Sequence, residues 1–299
     1  MSQDFGQRSV TTRDDDIGEV LKTVPTARTD LTGRVLPQMT LGDGNMPGSL
    51  VAPPPPLPRS ASPASRAAER FRVEGNAIVT GGAGDLGHAA SRALLEHGLR
   101  GLMLFDLNAA DAAAKAQSLQ AEFPQAKIRF TNVDVTDALA VHAAHAVDTS
   151  PNEWNRVLSV NTTGVFLCAQ AAARQMVKQG TGGSMTFIAS ISAHRVNYPQ
   201  PQVSYNVSKA GVMAMVKSLA AEWAVHGIRV NSISPGYMDT ILNEGVGLDA
   251  AKNIWLSRNP MRRMGQPDEL TGVIVLLTSR AGSYINGADI LVDGGQTVF

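Results

Sequence analysis

A doubly wound α/β domain, a parallel sheet with helices on both faces, is the fold class that this sequence predicts, and two observations predict it. From Asn76 onward, short apolar runs alternate with alanine-rich stretches of helical length, and the first apolar run passes directly into a glycine-rich turn that opens a helix. Strands are expected at NAIVT (76–80), GLMLF (101–105), IRFTNVDV (128–135), SMTFIAS (184–190), IRVNSIS (228–234) and DILVD (289–293). Their β-branched and aromatic residues suit strands covered on both sides. Helices are expected between them, at about 86–97, 109–122, 152–179, 203–226 and 268–279. There is no internal repeat.

Residues 1–70 are of a different composition. They carry the tract VAPPPPLPRSASPASR, scattered charge and no sustained apolar periodicity. This segment reads as a disordered, proline-rich extension with the proline tract in polyproline conformation, leaving residues 71–299 as the folded domain. PPPPLPR could dock an aromatic groove, although an inert tail is the simpler account. The early acids Asp14, Asp15, Asp16 and Glu19 disfavour a transit peptide.

Composition narrows the function classes. Of 299 residues, 43% are apolar and 17% charged, and 26 basic side chains balance 26 acidic ones, so no charge excess points to nucleic acid or a membrane surface. No apolar stretch reaches the roughly 18 residues needed to span a bilayer. Cys168, the single cysteine, reads as a packing residue in a reducing, cytoplasmic setting. His142 and His145 have helical spacing, but no neighbouring cysteine or carboxylate completes a ligand set, so no metal is expected.

The glycine-rich turn is Thr80-Gly81-Gly82-Ala83-Gly84-Asp85-Leu86-Gly87. Glycines let backbone approach a pyrophosphate, and the amino end of the following helix offers N–H donors and a positive dipole end. Asp106 ends the second strand 19 residues beyond Gly87, where a carboxylate can bind ribose hydroxyls and would repel a 2′-phosphate. NAD is therefore favoured over NADP in a Rossmann-type domain, the competing reading of Asp106 being an ordinary strand-end acid. Tyr205 and Lys209 lie four apart on an expected helix and so share one face. Free tyrosine ionises near pH ~10, and an adjacent ammonium favours phenolate, which would make Tyr205 a proton acceptor.

With these residues in view, positions 76–299 resemble the short-chain dehydrogenase/reductase family. The resemblance rests on TGGAGDLG, VDV (133–135), VNTTG (160–164), FIAS, YNVSK, SPGYMDT and VDGG in that order. VNYPQPQVSYNVSKAGV is further similar to fungal polyol dehydrogenases and ketose reductases acting on D-arabinitol, mannitol or sorbose. The resemblance implies an NAD(H)-dependent oxidoreductase interconverting a polyol or secondary alcohol and its ketose or ketone. It implies Tyr205 as general base or acid, Lys209 on the nicotinamide ribose, Ser190 donating to the substrate oxygen, and Asn161 positioning a water linked to Lys209. Gly81, Gly84, Leu86, Gly87, Asp106, Asp134, Val135, Gly236, Met238 and Thr240 would line the cofactor, together with Tyr205 and Lys209. Asn161 and Asp134 could instead be helix caps, and Gly236 a turn residue. Ser192 rivals Ser190, which is preferred because it closes the apolar strand and matches the family when counted forward from Gly183. Relatives are commonly homodimers or homotetramers.

Two departures from the family stand out. Between Asp134 and Asn161 the family fits a helix and a central strand, whereas residues 136–151 (TDALAVHAAHAVDTSP) have room for only one such element and contain no β-branched run. The sheet is therefore expected to lack one central strand. Either the strand before Ser190 closes up against the first strand, or folding is compromised, and the alternative function is a catalytically impaired or silent member acting as a binding or oligomerisation partner. The second departure is Asp85, which replaces a glycine of the phosphate turn. Its charge is expected to weaken NAD binding unless it caps the helix starting at Leu86.

Overall fold

The computed structural model describes residues 38–44, 49–135, 145–243 and 246–299. The chain divides into two compact units, Met1–Met39 and Thr40–Phe299, and every element below belongs to the second. His142 and most of the shortened 136–151 interval lie outside the described residues.

The strands are β1 (Asn76–Thr80), β2 (Gly101–Asp106), β3 (Lys127–Asn132), β4 (Gly183–Ile188), β5 (Ile228–Pro235) and β6 (Asp289–Val292). The helices are α1 (Pro63–Arg70), α2 (Asp85–Glu96), α3 (Ala109–Glu122), α4 (Pro151–Leu158), α5 (Val165–Gln179), α6 (Val203–Trp223), α7 (Asp249–Ser257) and α8 (Thr271–Thr278). A π-helical turn, Ser159–Gly164, joins α4 to α5. Local chemistry marks several of the ends. Asn108 accepts from the Asp111 N–H to open α3, Ser150 accepts from the Glu153 N–H to open α4, and Gly180, at φ +66°, closes α5.

All strand pairs are parallel, β1 with β2, β2 with β3, β4 with β5 and β5 with β6. Among the described residues the six strands form two three-stranded sheets, β1-β2-β3 and β4-β5-β6, with no ladder between β1 and β4. Of the two outcomes expected of the shortened middle, closure of β4 against β1 is thus not the one seen among the described residues. One apolar cluster explains why the sheets stay together without pairing: Leu94 and Leu95 of α2, Leu102 and Leu104 of β2 and Leu119 of α3 meet Ile233 of β5 and Ile274 and Leu277 of α8. Pairing β4 with β1 would require this shared layer to repack. A second cluster covers β4 and β5 with Ala169 and Ala173 of α5 and Val212 and Val216 of α6. Each fully buried Leu, Ile or Val contributes about 1.5–3 kcal/mol. The uncovered side is visible on β1, where Ala77 and Val79 face the first cluster while the intervening Ile78 is 56% exposed.

Two further expectations are corrected. The third strand ends at Asn132 rather than at residue 135, because β2 ends at Asp106 and leaves only the Val133 N–H, which donates to the Asp106 carbonyl, with a partner. The stretch read as disordered contains α1, opened by Pro63 and by Ser62, whose hydroxyl accepts from the Ser65 N–H. The proline-rich composition around it masked that cap.

The first turn of α2 packs so closely on the preceding loop that a Cβ at Gly87 would overlap the Gly81 carbonyl oxygen. Gly87→Ala is expected to destabilise the domain by about 1–3 kcal/mol. An unchanged denaturation midpoint would contradict this close approach.

Candidate active site

The phosphate turn is shaped by Gly81, at φ +64°, and by the Gly84 N–H donating to the Gly81 carbonyl at 3.1 Å. Gly84 precedes α2 and supplies no capping side chain, so the first-turn amides remain available to an anion. Asp106, at the end of β2, accepts from the Ala83 N–H at 2.9 Å and from the Asn108 N–H at 3.0 Å. These bonds orient the carboxylate beside the turn and leave lone pairs for hydroxyl donors. A dinucleotide with its pyrophosphate on α2 and a ribose on Asp106 fits this arrangement.

Asp85 does not cap α2. Its carboxylate accepts from the Ile241 N–H at 3.1 Å and so ties the first turn of α2 to the segment that follows Thr240.

The second half of the site comes from β4, β5 and α6. Tyr205 and Lys209 share one face of α6, with the Lys209 Nζ 5.6 Å from the tyrosine ring centroid and donating to the Ile188 carbonyl at 2.8 Å. Asn161 lies in the π turn, a distortion frequent at functional sites, and its Nδ2 donates to the Ser208 Oγ at 3.1 Å. The Ser208 hydroxyl donates in turn to the Tyr205 carbonyl at 2.7 Å. Asn161 is thereby joined to the tyrosine helix.

Ser190 follows β4, is buried, and donates to the Ser192 Oγ at 2.9 Å, while the Ser192 hydroxyl donates to the Asn197 Oδ1 at 2.8 Å. The rival serines therefore belong to one hydrogen-bonded chain, and the Ile191–Ala193 turn between them and α6 pack together.

The remaining residues frame the crevice. The Gly236 N–H donates to the Val292 carbonyl at 3.0 Å, and a Cβ at this position would meet the Asp293 Cα at 2.8 Å. Met238 and Thr240 are buried. Asp134 and Val135 lie in the loop after β3, where the Val135 carbonyl passes so close to Gly164 that a Cβ there would sit 2.9 Å from it. Leu86 packs against the first apolar cluster.

Three features escaped sequence reasoning. His194 Nε2 lies 2.8 Å from the Asp289 Oδ2, and the other Asp289 oxygen accepts from Ser232 at 2.6 Å and from Ser234 at 2.9 Å, so the Ser190 turn is pinned to β6. Tyr237 stacks on Trp255 with ring centroids 4.1 Å apart, and burial pushes its phenol up to about 12. It therefore stays protonated. The third is Arg258, placed over the Tyr198 ring at 5.1 Å. These pairs join residues 18 to 95 positions apart with no local periodicity to announce them.

Asp85 places a carboxylate against the turn that would hold a pyrophosphate, opposing the helix-end field there. Asp85→Gly is expected to tighten NAD binding about two- to fivefold. An unchanged dissociation constant in a fluorescence titration would dismiss the repulsion.

Comparison with known proteins agrees with this geometry. A family model described as enoyl-(acyl carrier protein) reductase matches residues 64–297. The NADP-dependent mannitol dehydrogenase of Hypocrea jecorina is 36% identical over 267 residues, spanning 81% of this chain and 99% of that protein. The ribulose-forming D-arabinitol 2-dehydrogenase of Scheffersomyces stipitis is 37% identical, spanning 75% of this chain and 95% of that protein. The crystal structure of a short-chain type dehydrogenase/reductase from Mycobacterium marinum superposes with a TM-score of 0.71 at 34% identity, covering 77% of this chain and 98% of that one. With the phosphate turn, the tyrosine–lysine pair and these matches together, the chain belongs to the short-chain dehydrogenase/reductase family of nicotinamide-dependent oxidoreductases.

Proposed function

We propose that this chain interconverts a polyol or secondary alcohol and its ketose or ketone with NAD(H). The observation that carries the reading is the placement of Tyr205 and Lys209 on one face of α6, packed against the turn that bears Ser190. Relatives named as mannitol and arabinitol dehydrogenases support polyols as the substrate class. NAD rather than NADP is favoured by the Asp106 carboxylate beside the phosphate turn, although the mannitol relative is named as NADP-dependent.

A bound nicotinamide would accept or supply the hydride. In alcohol oxidation, Tyr205 takes the carbinol proton as general base, and in ketone reduction it returns that proton to the new oxygen. Lys209 supports Tyr205 with its positive charge and donates to the nicotinamide ribose. Ser190 donates to the substrate oxygen as charge develops there, its hydroxyl proton turning to the substrate from the Ser192 Oγ to which it donates in the free chain. Asn161 holds a water that links Lys209 to solvent. Gly81, Gly84, Leu86 and Gly87 cradle the pyrophosphate, while Asp134, Val135, Gly236, Met238 and Thr240 line the adenine and nicotinamide ends. Exposed apolar residues Leu167 on α5 and Val207 on α6 support a homodimer or homotetramer built on those helices. A cytoplasmic location is consistent with a described chain in which no helix is long and apolar enough to cross a membrane.

A second reading is favoured by the edges of β1 and β4, which are unpaired among the described residues. Ile78 is 56% and Ile188 38% exposed on those strands, as a sheet deprived of a central strand would leave them. In that case the chain is a deleted form of an active enzyme and persists as a binding or oligomerisation partner.

NAD titration followed by a polyol turnover assay separates the two readings. Tight binding with turnover is expected of the enzyme, and an oligomer showing neither supports the silent partner. In the active chain, Tyr205→Phe should lower kcat at least about 100-fold while leaving NAD affinity and the melting temperature near wild type. Undiminished turnover in that variant would remove Tyr205 from the proton step.

A further inference from the structure

We infer that the exposed proline tract from Pro53 to Arg59 is a docking site for a partner protein, one that reads polyproline through a groove of aromatic rings and meets Arg59 with an acidic side chain. The inference is independent of the oxidoreductase reading above, because the tract shares no residue with the cofactor or substrate site.

Covalent chemistry sets the shape of the tract. In the run APPPPLPR, residues 52–59, each proline fixes its own φ at about −65°, and each residue that precedes a proline is pushed out of the helical region. The chain is thereby held in extended polyproline conformation, with neither helix nor strand from Pro53 to Pro58. About three residues complete a turn of such a helix, so residues three apart share a face. One face carries Pro54 and Leu57, a second Pro55 and Pro58, and a third Pro53, Pro56 and Arg59. Leu57 is half-buried, which turns the first face toward the domain, whereas every proline of the run and Arg59 are exposed. Two adjacent ridges therefore face water.

The tract is also anchored at both ends. On its amino side Leu50 packs so closely on Gly227 that a Cβ there would meet the Leu50 Cβ at 2.5 Å. The Arg280 guanidinium donates to the Pro55 carbonyl. On the carboxyl side the Ala61 N–H donates to the Pro58 carbonyl at 3.2 Å, and Arg66 of α1 donates to the Arg59 carbonyl at 3.3 Å. These bonds occupy backbone carbonyls and leave the proline rings uncovered. A segment that is already extended and fixed loses little entropy on binding, and aromatic-lined grooves exploit that property in proline-rich ligands. The Arg59 guanidinium makes no ion pair among the described residues, so its charge is available to an acid on the partner.

The position of the anchor leaves the crevice open. Gly227 precedes β5 and Gly236 follows it, so Leu50 fastens the tract at the amino end of that strand, opposite the end that frames the candidate site. A partner seated there tethers the chain without covering the residues assigned to chemistry.

The test titrates the full chain with two isolated probes, an SH3 domain and a WW domain, and reads binding by calorimetry. Saturable one-to-one binding of at least one probe is expected. Pro55→Ala combined with Pro58→Ala should weaken it at least about tenfold, since one ridge is lost. Arg59→Glu should weaken it by about tenfold as well, and Arg59→Lys should retain most of it. Each variant should keep the wild-type melting temperature, because the altered side chains are exposed. Pro54→Ala, on the face shared with Leu57, should change affinity by less than about twofold. Binding of neither probe, or binding that survives the double proline variant or Arg59→Glu, would overturn the inference. A loss on Pro54→Ala as large as that of the double variant would overturn it too, by placing the contact on the face that turns to the domain.

Discussion

The apolar layer in which α2 and α8 meet is the constraint on which the rest of the molecule depends. It is a contact between two three-stranded sheets that share no ladder among the described residues. The phosphate turn and Asp106 belong to the first sheet, and Ser190, Tyr205, Lys209 and the Gly236–Thr240 segment belong to the second or to the helices covering it. Side-chain packing, rather than a continuous ladder, therefore sets the distance between the half proposed to hold the nucleotide and the half proposed to transfer the proton. Apolar packing is dense but nondirectional, so it holds a separation less rigidly than paired strands do.

Directional contacts supplement that layer. Asp85 receives the Ile241 N–H and ties the start of α2 to the chain after Thr240, placing negative charge beside the turn proposed to hold a pyrophosphate. His194 and Asp289 fasten the serine turn to β6, and the half-buried Asp289 carboxylate is further satisfied by Ser232 and Ser234. Neutral and ionic hydrogen bonds in a partly buried network are stronger than the same bonds in water, provided each group is paired. The serine turn is thus held on one side by α6 and on the other by the last strand.

Much of this was legible in the residues. β1 and α3 fall on their expected positions because apolar runs and alanine-rich periodicity are local signals, and the Tyr205–Lys209 pair was readable because helical spacing alone puts i and i+4 side by side. The third strand was read too long because a strand ends where its neighbour does, and the end of β2 is not written in the sequence of β3. Helix α1 was missed because a single serine–proline cap was outweighed by the proline tract beside it. The stacking of Tyr237 on Trp255 and the placement of Arg258 over Tyr198 had no local signal, since folding brings together residues far apart in the chain.

By itself the sequence determined the alternation of strands and helices, the glycine turn with Asp106 at the next strand end, and the tyrosine–lysine face, since each depends on spacing within a few residues or on a strand-to-helix unit. Only the tertiary structure decided that the strands assemble as two sheets, that Asp85 reaches Ile241 instead of its own helix, and that both serines lie on one hydrogen-bonded chain. Those outcomes depend on which distant surfaces bury one another, and burial is a property of the whole chain rather than of any window along it.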